Sequence, residues 1–161
     1  MHQAFLGRYF MGYTPQLTLP PRGSVWAALY NPPASGVNMF VNFTVSNFSP
    51  TPFRAYLWFN AAADGGEASP YVCATNTAVV PQPEPRTMIV SGQGVPQGGC
   101  SLFSRVAGAH STEVGNYYGK IIIPPGGTFL VQLVSPNTCA IPAEEAFGWW
   151  SSRCGSIRST F

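Results

Sequence analysis

The clearest alternation of apolar and polar residues runs through Val37-Asn38-Met39-Phe40-Val41-Asn42-Phe43-Thr44-Val45. Every odd position is apolar, and the even ones carry Asn38, Phe40, Asn42 and Thr44. A period of two is the mark of a β-strand with one core face and one mainly polar face. Phe53–Phe59 repeats the pattern, with Leu57 and Phe59 continuing an apolar side and Arg54, Tyr56 and Trp58 on the other. Asn47-Phe48-Ser49-Pro50-Thr51-Pro52 separates the two runs and reads as a turn, so they are expected to form a hairpin. Ser24–Tyr30 sets Val25, Ala27 and Leu29 against Trp26, Ala28 and Tyr30. It stops at Asn31-Pro32-Pro33, because proline has no N–H to give to a ladder. Weaker patterns predict further strands at 5–11, 15–19, 71–74, 86–91, 101–106, 117–123, 127–134 and 145–151.

Turn-forming residues lie between these runs: Asp64-Gly65-Gly66, Gly98-Gly99, Pro124-Pro125-Gly126-Gly127 and Ser135-Pro136-Asn137. The alternating prolines Pro81, Pro83 and Pro85 predict an extended, unpaired crossing. Only Glu144-Glu145-Ala146 suggests a helical turn. Many short strands at regular spacing predict an all-β protein: a single antiparallel β-sandwich of jelly-roll type, with roughly eight to ten strands. The expected organisation is a sandwich over residues 14–150, an N-terminal arm at 1–13 and a short C-terminal tail at 151–161.

Composition adds an unusual surface. Charged residues are 9% of the 161, the net charge is +2, and Lys120 is the single lysine. The basic residues are scattered singly, so there is no electrostatic footprint for nucleic acid. A surface built from Ser, Thr, Asn and Gln loses few ions when it is covered, which suits a subunit enclosed by neighbours. A secreted β-domain that tolerates low charge is the other reading. The arm is apolar, with Phe5, Leu6, Tyr9, Phe10, Met11 and Tyr13 within thirteen positions. Such a segment must be buried, either as an edge strand of its own domain or against a neighbour.

The four cysteines, Cys73, Cys100, Cys139 and Cys154, form no C-x-x-C motif, and neither His2 nor His110 is at zinc-finger spacing from them. An even count points to disulfides, with Cys73–Cys100 and Cys139–Cys154 favoured. Four buried free thiols are the alternative. The N-terminus does not read as a signal peptide, and no apolar run is long enough to span a membrane. Disulfides without a leader fit a protein made inside a cell and oxidised later, or a mature form whose leader has been removed.

Gly7-Arg8-Tyr9-Phe10-Met11-Gly12, Leu29-Tyr30-Asn31-Pro32-Pro33-Ala34-Ser35-Gly36-Val37-Asn38 and Pro52-Phe53-Arg54-Ala55-Tyr56-Leu57-Trp58-Phe59-Asn60 resemble a family of uncharacterised small proteins from spore-forming Firmicutes. So do Pro124-Pro125-Gly126-Gly127-Thr128-Phe129-Leu130 and Ala146-Phe147-Gly148-Trp149-Trp150. The resemblance spans about residues 7–150 and implies a bacterial source. It carries no activity, cofactor or catalytic residue. A looser likeness, of kind only, is to endospore-appendage fibre subunits, which are also small, cysteine-bearing β-sandwiches with N-terminal connectors.

The chemistry-bearing residues form no convincing catalytic set. His110 would need Asp64, the only aspartate, which sits in a glycine turn, and no Gly-x-Ser-x-Gly elbow is present. A Cys100–His110 pair competes with Cys100 as half of a disulfide. Glu144 and Glu145, as neighbours on a strand, would face opposite ways. No enzyme activity, cofactor or metal site is expected. Aromatics are the stronger signal: Tyr56 and Trp58 share one strand face, and Trp26 and Tyr30 another. They would serve subunit contact, internal packing or a sugar-stacking platform of Trp26, Tyr56 and Trp58. The expectation is therefore a structural subunit, on the outside of a cell or spore, that polymerises with itself. Phe5, Leu6, Tyr9, Phe10 and Met11 of the arm would add a strand to the next subunit, and disulfides would fix the polymer. The alternative is a carbohydrate-binding module with a polysaccharide partner.

Overall fold

The computed structural model describes residues 1–136 and 138–155. A short helix, α1 (His2–Phe5), precedes thirteen strands: β1 (Tyr9–Tyr13), β2 (Leu17–Leu19), β3 (Ser24–Tyr30), β4 (Val37–Asn47), β5 (Phe53–Phe59), β6 (Glu67–Ala68), β7 (Val72–Ala74), β8 (Met88–Gln93), β9 (Cys100–Ala107), β10 (Ser111–Gly115), β11 (Ile122–Ile123), β12 (Thr128–Val134) and β13 (Ile141–Arg153). They form two antiparallel sheets. Sheet A has the order β10-β4-β13-β1-β7, with β11 paired to β4 and β2 to β13. Sheet B has the order β6-β8-β3-β12-β5-β9. This is the expected all-β sandwich, and the chain passes repeatedly from one sheet to the other, as from β2 through β3 and β4 to β5 and from β11 through β12 to β13.

The inner faces are the ones the alternation marks. Every odd residue of β4 is buried, as are Phe53, Ala55 and Leu57 of β5, while Phe59 is half-buried against the same core. Phe129 on β12 lies at the centre, with ring centroids 5.4 Å from Phe43, 6.1 Å from Phe59 and 6.3 Å from Phe147. Those rings come from both sheets, so one side chain ties the two layers together.

The expected hairpin of residues 37–45 with 53–59 does not form. β4 pairs with β13 and β10 in sheet A, and β5 with β12 and β9 in sheet B. The intervening turn carries the chain from one sheet to the other. Asn47 shapes it: its Nδ2 donates to the carbonyls of Thr51 (2.8 Å) and Ala107 (3.2 Å), and its Oδ1 accepts from the Ser49 N–H at 2.9 Å. Asn31 does the same at the preceding crossing, from β3 to β4, donating from Nδ2 to Val37 O and Ile123 O at 2.9 and 3.0 Å.

Other local expectations change as well. The strand predicted at 5–11 begins only at Tyr9, because residues 2–5 make a helical turn that ends at Gly7 with φ +69°. Glu144-Glu145-Ala146 is strand, not helix. β6 and β10 arise where no strand was expected. β1 lies inside sheet A, and β13 runs on to Arg153, so the ends of the sandwich pass the expected limits of 14 and 150. Residues 156–161 of the expected tail lie outside the described residues.

Candidate functional site

The arm's apolar residues separate by strand alternation. β1 pairs with β13 on one side, Tyr9 facing Trp150 and Tyr13 facing Ala146, and with β7 on the other, Met11 facing Cys73. Phe10 points inward, is buried, and packs with its ring centroid 5.8 Å from that of Trp149. Tyr9 and Met11 sit on the outer face, and Phe5 and Leu6 remain exposed on α1 and the turn after it. The arm thus fills a slot between two strands rather than an outer edge, and it does so on its own domain.

The outer edges are poorly suited to accept a further strand. β6 has two residues and β7 three. β9 is longer, but its pairing with β5 shifts register at Leu57/Trp58. Arg105, paired with the inward Ala55, lies 4.2 Å over the Phe103 ring. Glu113 stands opposite the inward Val45 on β10. Short strands, bulges and inward-side charges are the devices that keep sheet edges from pairing with other chains.

All four cysteines are exposed and unbridged, which overturns the alternative of buried thiols. The favoured pairings cannot form within one chain. Cys139 and Cys154 bracket β13, whose thirteen residues at about 3.3 Å each separate them by roughly 40 Å. Cys73 lies on β7, at one end of sheet A, whereas Cys100 lies on β9, which packs against β10 at the other end. Four strand spacings of about 4.8 Å part them, against the limit of about 7 Å between bridged Cα atoms. In the reduced monomer all four thiols should react with a maleimide without denaturant. Oxidation should give covalent multimers on a non-reducing gel, and a bridged monomer migrating ahead of the reduced one would contradict this geometry.

The three aromatics of the expected platform share one surface. Trp26 and Tyr56 flank Gln132 in register, and Trp58 flanks Leu130 beside Ala28, all on the outer face of sheet B. They are not an open platform. The segment from Ala61 to Ala68 crosses this face, and Trp26 is only 3% exposed beneath it. A Cβ at Gly66 would come within 2.7 Å of the Trp26 indole, so glycine there lets the backbone lie on the ring. Trp26 Nε1 donates to Gln93 O at 3.3 Å, while Tyr56 and Trp58 are half-buried.

A second aromatic row, on the outer face of sheet A, escaped the sequence reading. Ile122, Phe40, Trp150 and Tyr9 stand opposite one another across β11, β4, β13 and β1. Phe40 and Trp150 are parallel within 3° at 5.1 Å, and Tyr9 follows Trp150 at 6.3 Å and 20°. The signal was present in Trp149-Trp150, since adjacent strand residues face opposite ways and one indole had to point outward. Because the Phe40 and Trp150 rings turn faces toward each other, they offer a ligand mainly edges.

The sequence of this fold has known kin. A match to a family of unknown function covers residues 1–155. The chain belongs to DUF6143. The expected membership of an uncharacterised family is therefore met, and the DUF6143 match reaches beyond 7–150 at both ends, taking in the arm and all of β13. No curated protein matches the chain.

The candidate chemical groups remain apart or buried. Asp64 lies in the segment over sheet B, and His110 in the turn between β9 and β10. Among the described residues no group of three or more His, Cys, Asp or Glu side chains could hold a metal ion, and no helix is long and apolar enough to cross a membrane. Glu144 and Glu145 face opposite ways, as the strand dictates. Glu145 is 1% exposed, and neither carboxyl oxygen has a hydrogen-bonding partner. Its backbone is held by Thr14, whose N–H donates to Glu145 O at 2.8 Å and whose Oγ1 accepts from Glu145 N at 3.2 Å. Burial holds this carboxyl well above its ordinary pKa.

Proposed function

We propose that the protein is a non-enzymatic structural subunit that assembles with copies of itself, by exchange of residues 1–13 between neighbours and by disulfides between chains. The observation that carries this reading is the position of β1: a terminal strand that occupies an interior slot between β13 and β7. If the arm leaves, β13 is open over Ala146–Trp150, and the arm of a second copy presents the same side chains to it. Exchange of an identical element needs no new interface. It also bypasses the blunted edges, so the strand addition expected from sequence takes the form of filling a slot. Each subunit gives an arm and receives one, and such head-to-tail contacts make a filament when they do not close.

The exposed cysteines, whose favoured pairs lie too far apart to bridge within one chain, support the same reading, as does the low charge. Oxidation between subunits requires an oxidising medium, consistent with a place outside the cell or on the spore of a Firmicutes bacterium, in the manner of a spore appendage. The test uses the full chain, a chain starting at Thr14 and a peptide of residues 1–13. Full-length protein is expected to show filaments by negative-stain microscopy. The shortened chain should form none and should take up the peptide. A full-length protein that stays monomeric at high concentration, beside a shortened chain that ignores the peptide, would sink the proposal.

The alternative reading, a carbohydrate-binding module, rests on the half-buried Tyr56 and Trp58, with Trp26 no longer available. Retention of a dispersed monomer on insoluble polysaccharide, lost in Trp58→Ala, would favour it over assembly.

A further inference from the structure

The chain has seven tyrosines, and Tyr13, Tyr71 and Tyr118 are exposed. Two of these three meet. The rings of Tyr13 and Tyr71 lie parallel within 8°, with their centroids 4.8 Å apart. Among the described residues this is the one ring contact that joins two tyrosines. Tyr9 stacks on Trp150 and Tyr117 on Phe43, whereas Tyr118, 84% exposed, takes part in none.

The pair is fixed from its backbone. Tyr13 is the last residue of β1, and Tyr71 immediately precedes β7. Continuing the register by one residue past Gly12 and Val72 sets the two opposite each other on the outer face of sheet A. Tyr13 N–H donates to Tyr71 O at 3.1 Å. Ser69 ties both residues together: its Oγ donates to Tyr13 O and accepts from Tyr71 N–H at 3.2 Å. Gly12 permits this close approach, since a Cβ there would lie 2.6 Å from Tyr71 O. Stacking across two strands would be served as well by phenylalanine. Two phenols held face to face, 43% and 46% exposed, can also react.

We propose that Tyr13 and Tyr71 are a site of oxidative cross-linking, joined by a carbon–carbon bond between their Cε atoms when the protein meets hydrogen peroxide and a one-electron peroxidase. The peroxidase takes one electron and one proton from each phenol, and the peroxide is reduced to two waters. Each tyrosyl radical carries spin on the ring carbons beside its oxygen. Two such carbons approach through the ring faces and bond, and the hydrogen on each then moves to its phenolic oxygen, restoring both aromatic rings. The net change is the loss of two hydrogen atoms from the protein. Holding the rings in contact makes the coupling intramolecular in kind, so it outruns random encounters between exposed tyrosines. The bond would fasten the end of the N-terminal arm to β7. It forms whether Tyr13 belongs to the same chain or to an exchanged neighbour, and in the second case it joins two chains in a way that reductant cannot undo.

The test treats the full chain with hydrogen peroxide and a haem peroxidase, then reads dityrosine fluorescence and maps the linked residues by mass spectrometry of a digest. The principal product should join Tyr13 to Tyr71 with the loss of two hydrogens. Tyr13→Phe and Tyr71→Phe should each lower the fluorescence by about fivefold or more, while Tyr118→Phe changes it little. Phenylalanine keeps the ring and removes only the hydroxyl, so these variants are expected to fold, which circular dichroism would check. A reducing gel separates this site from the assembly reading: a linked monomer places the bond within one chain, a linked oligomer places it between exchanged chains, and the linked residues are the same in both. A principal link through Tyr118, or undiminished dityrosine in Tyr71→Phe, would overturn the assignment.

Discussion

Phe129→Ala is expected to lower the free energy of unfolding by about 3–5 kcal/mol, the range for a large aromatic truncated in a well-packed core. Phe129 has no exposed surface. Its ring meets Phe43 and Phe147 from sheet A and Phe59 from its own sheet. Its strand, β12, is itself interior, paired with β3 and β5, so the backbone on either side cannot easily move to fill the void. Urea unfolding followed by tryptophan fluorescence measures the change. A loss below about 1 kcal/mol would mean that the sheets are not clamped at this ring.

Glu145 should make stability fall as pH rises. Its folded pKa lies above the ordinary value of 4.5, because burial disfavours the charged form. Between those two values the native state keeps a proton that the unfolded chain has released. Unfolding then releases a proton, so the free energy of unfolding decreases with increasing pH, by up to about 1.4 kcal/mol per unit. The stabilising contribution of the neutral carboxyl is complete below about 4.5 and is lost progressively as pH climbs toward the folded value. Glu145→Gln keeps the size and removes the proton. Comparing slopes rather than absolute stabilities cancels the constant difference between a buried acid and a buried amide. The native protein should lose stability as pH rises above about 5, while the variant changes much less. Parallel curves would show that this carboxyl reaches solvent or a partner.

That Glu144 and Glu145 would point to opposite faces of a strand was legible in the sequence. Which of the two would be buried was not. That choice follows from Phe147 and Trp149, which share the face of Glu145 and enter the core. Burying a carboxylic acid is costly alone, and no local rule places one inside. It is carried there by the large apolar neighbours that set the register of β13.

The aromatic platform shows the same division. Trp26, Tyr56 and Trp58 were readable as outward residues, and they are outward. Trp26 is nevertheless inaccessible, because a glycine-containing segment some forty positions away lies across it. That segment reads as a turn and carries no periodic signal of its own. The row of Phe40, Trp150 and Tyr9 joins three strands distant in sequence, and only pairing in register makes it a row.

Alternation along each strand determined, by itself, the secondary structure class, the inward faces of β3, β4 and β5 and the two-sheet architecture. These are local properties: a period of two assigns faces whatever the partner strand is. Pairing decided everything else. The hairpin failed because β12 and β13, more than eighty residues downstream of β4, insert beside β5 and β4 and take their ladder bonds. The Cys139–Cys154 pair failed because two residues that flank one strand are held far apart when that strand is extended, and the Cys73–Cys100 pair because their strands lie at opposite ends of the sandwich. Both outcomes depend on contacts between distant segments, whose free energy comes from burying one shared core and leaves no periodic trace in either segment alone.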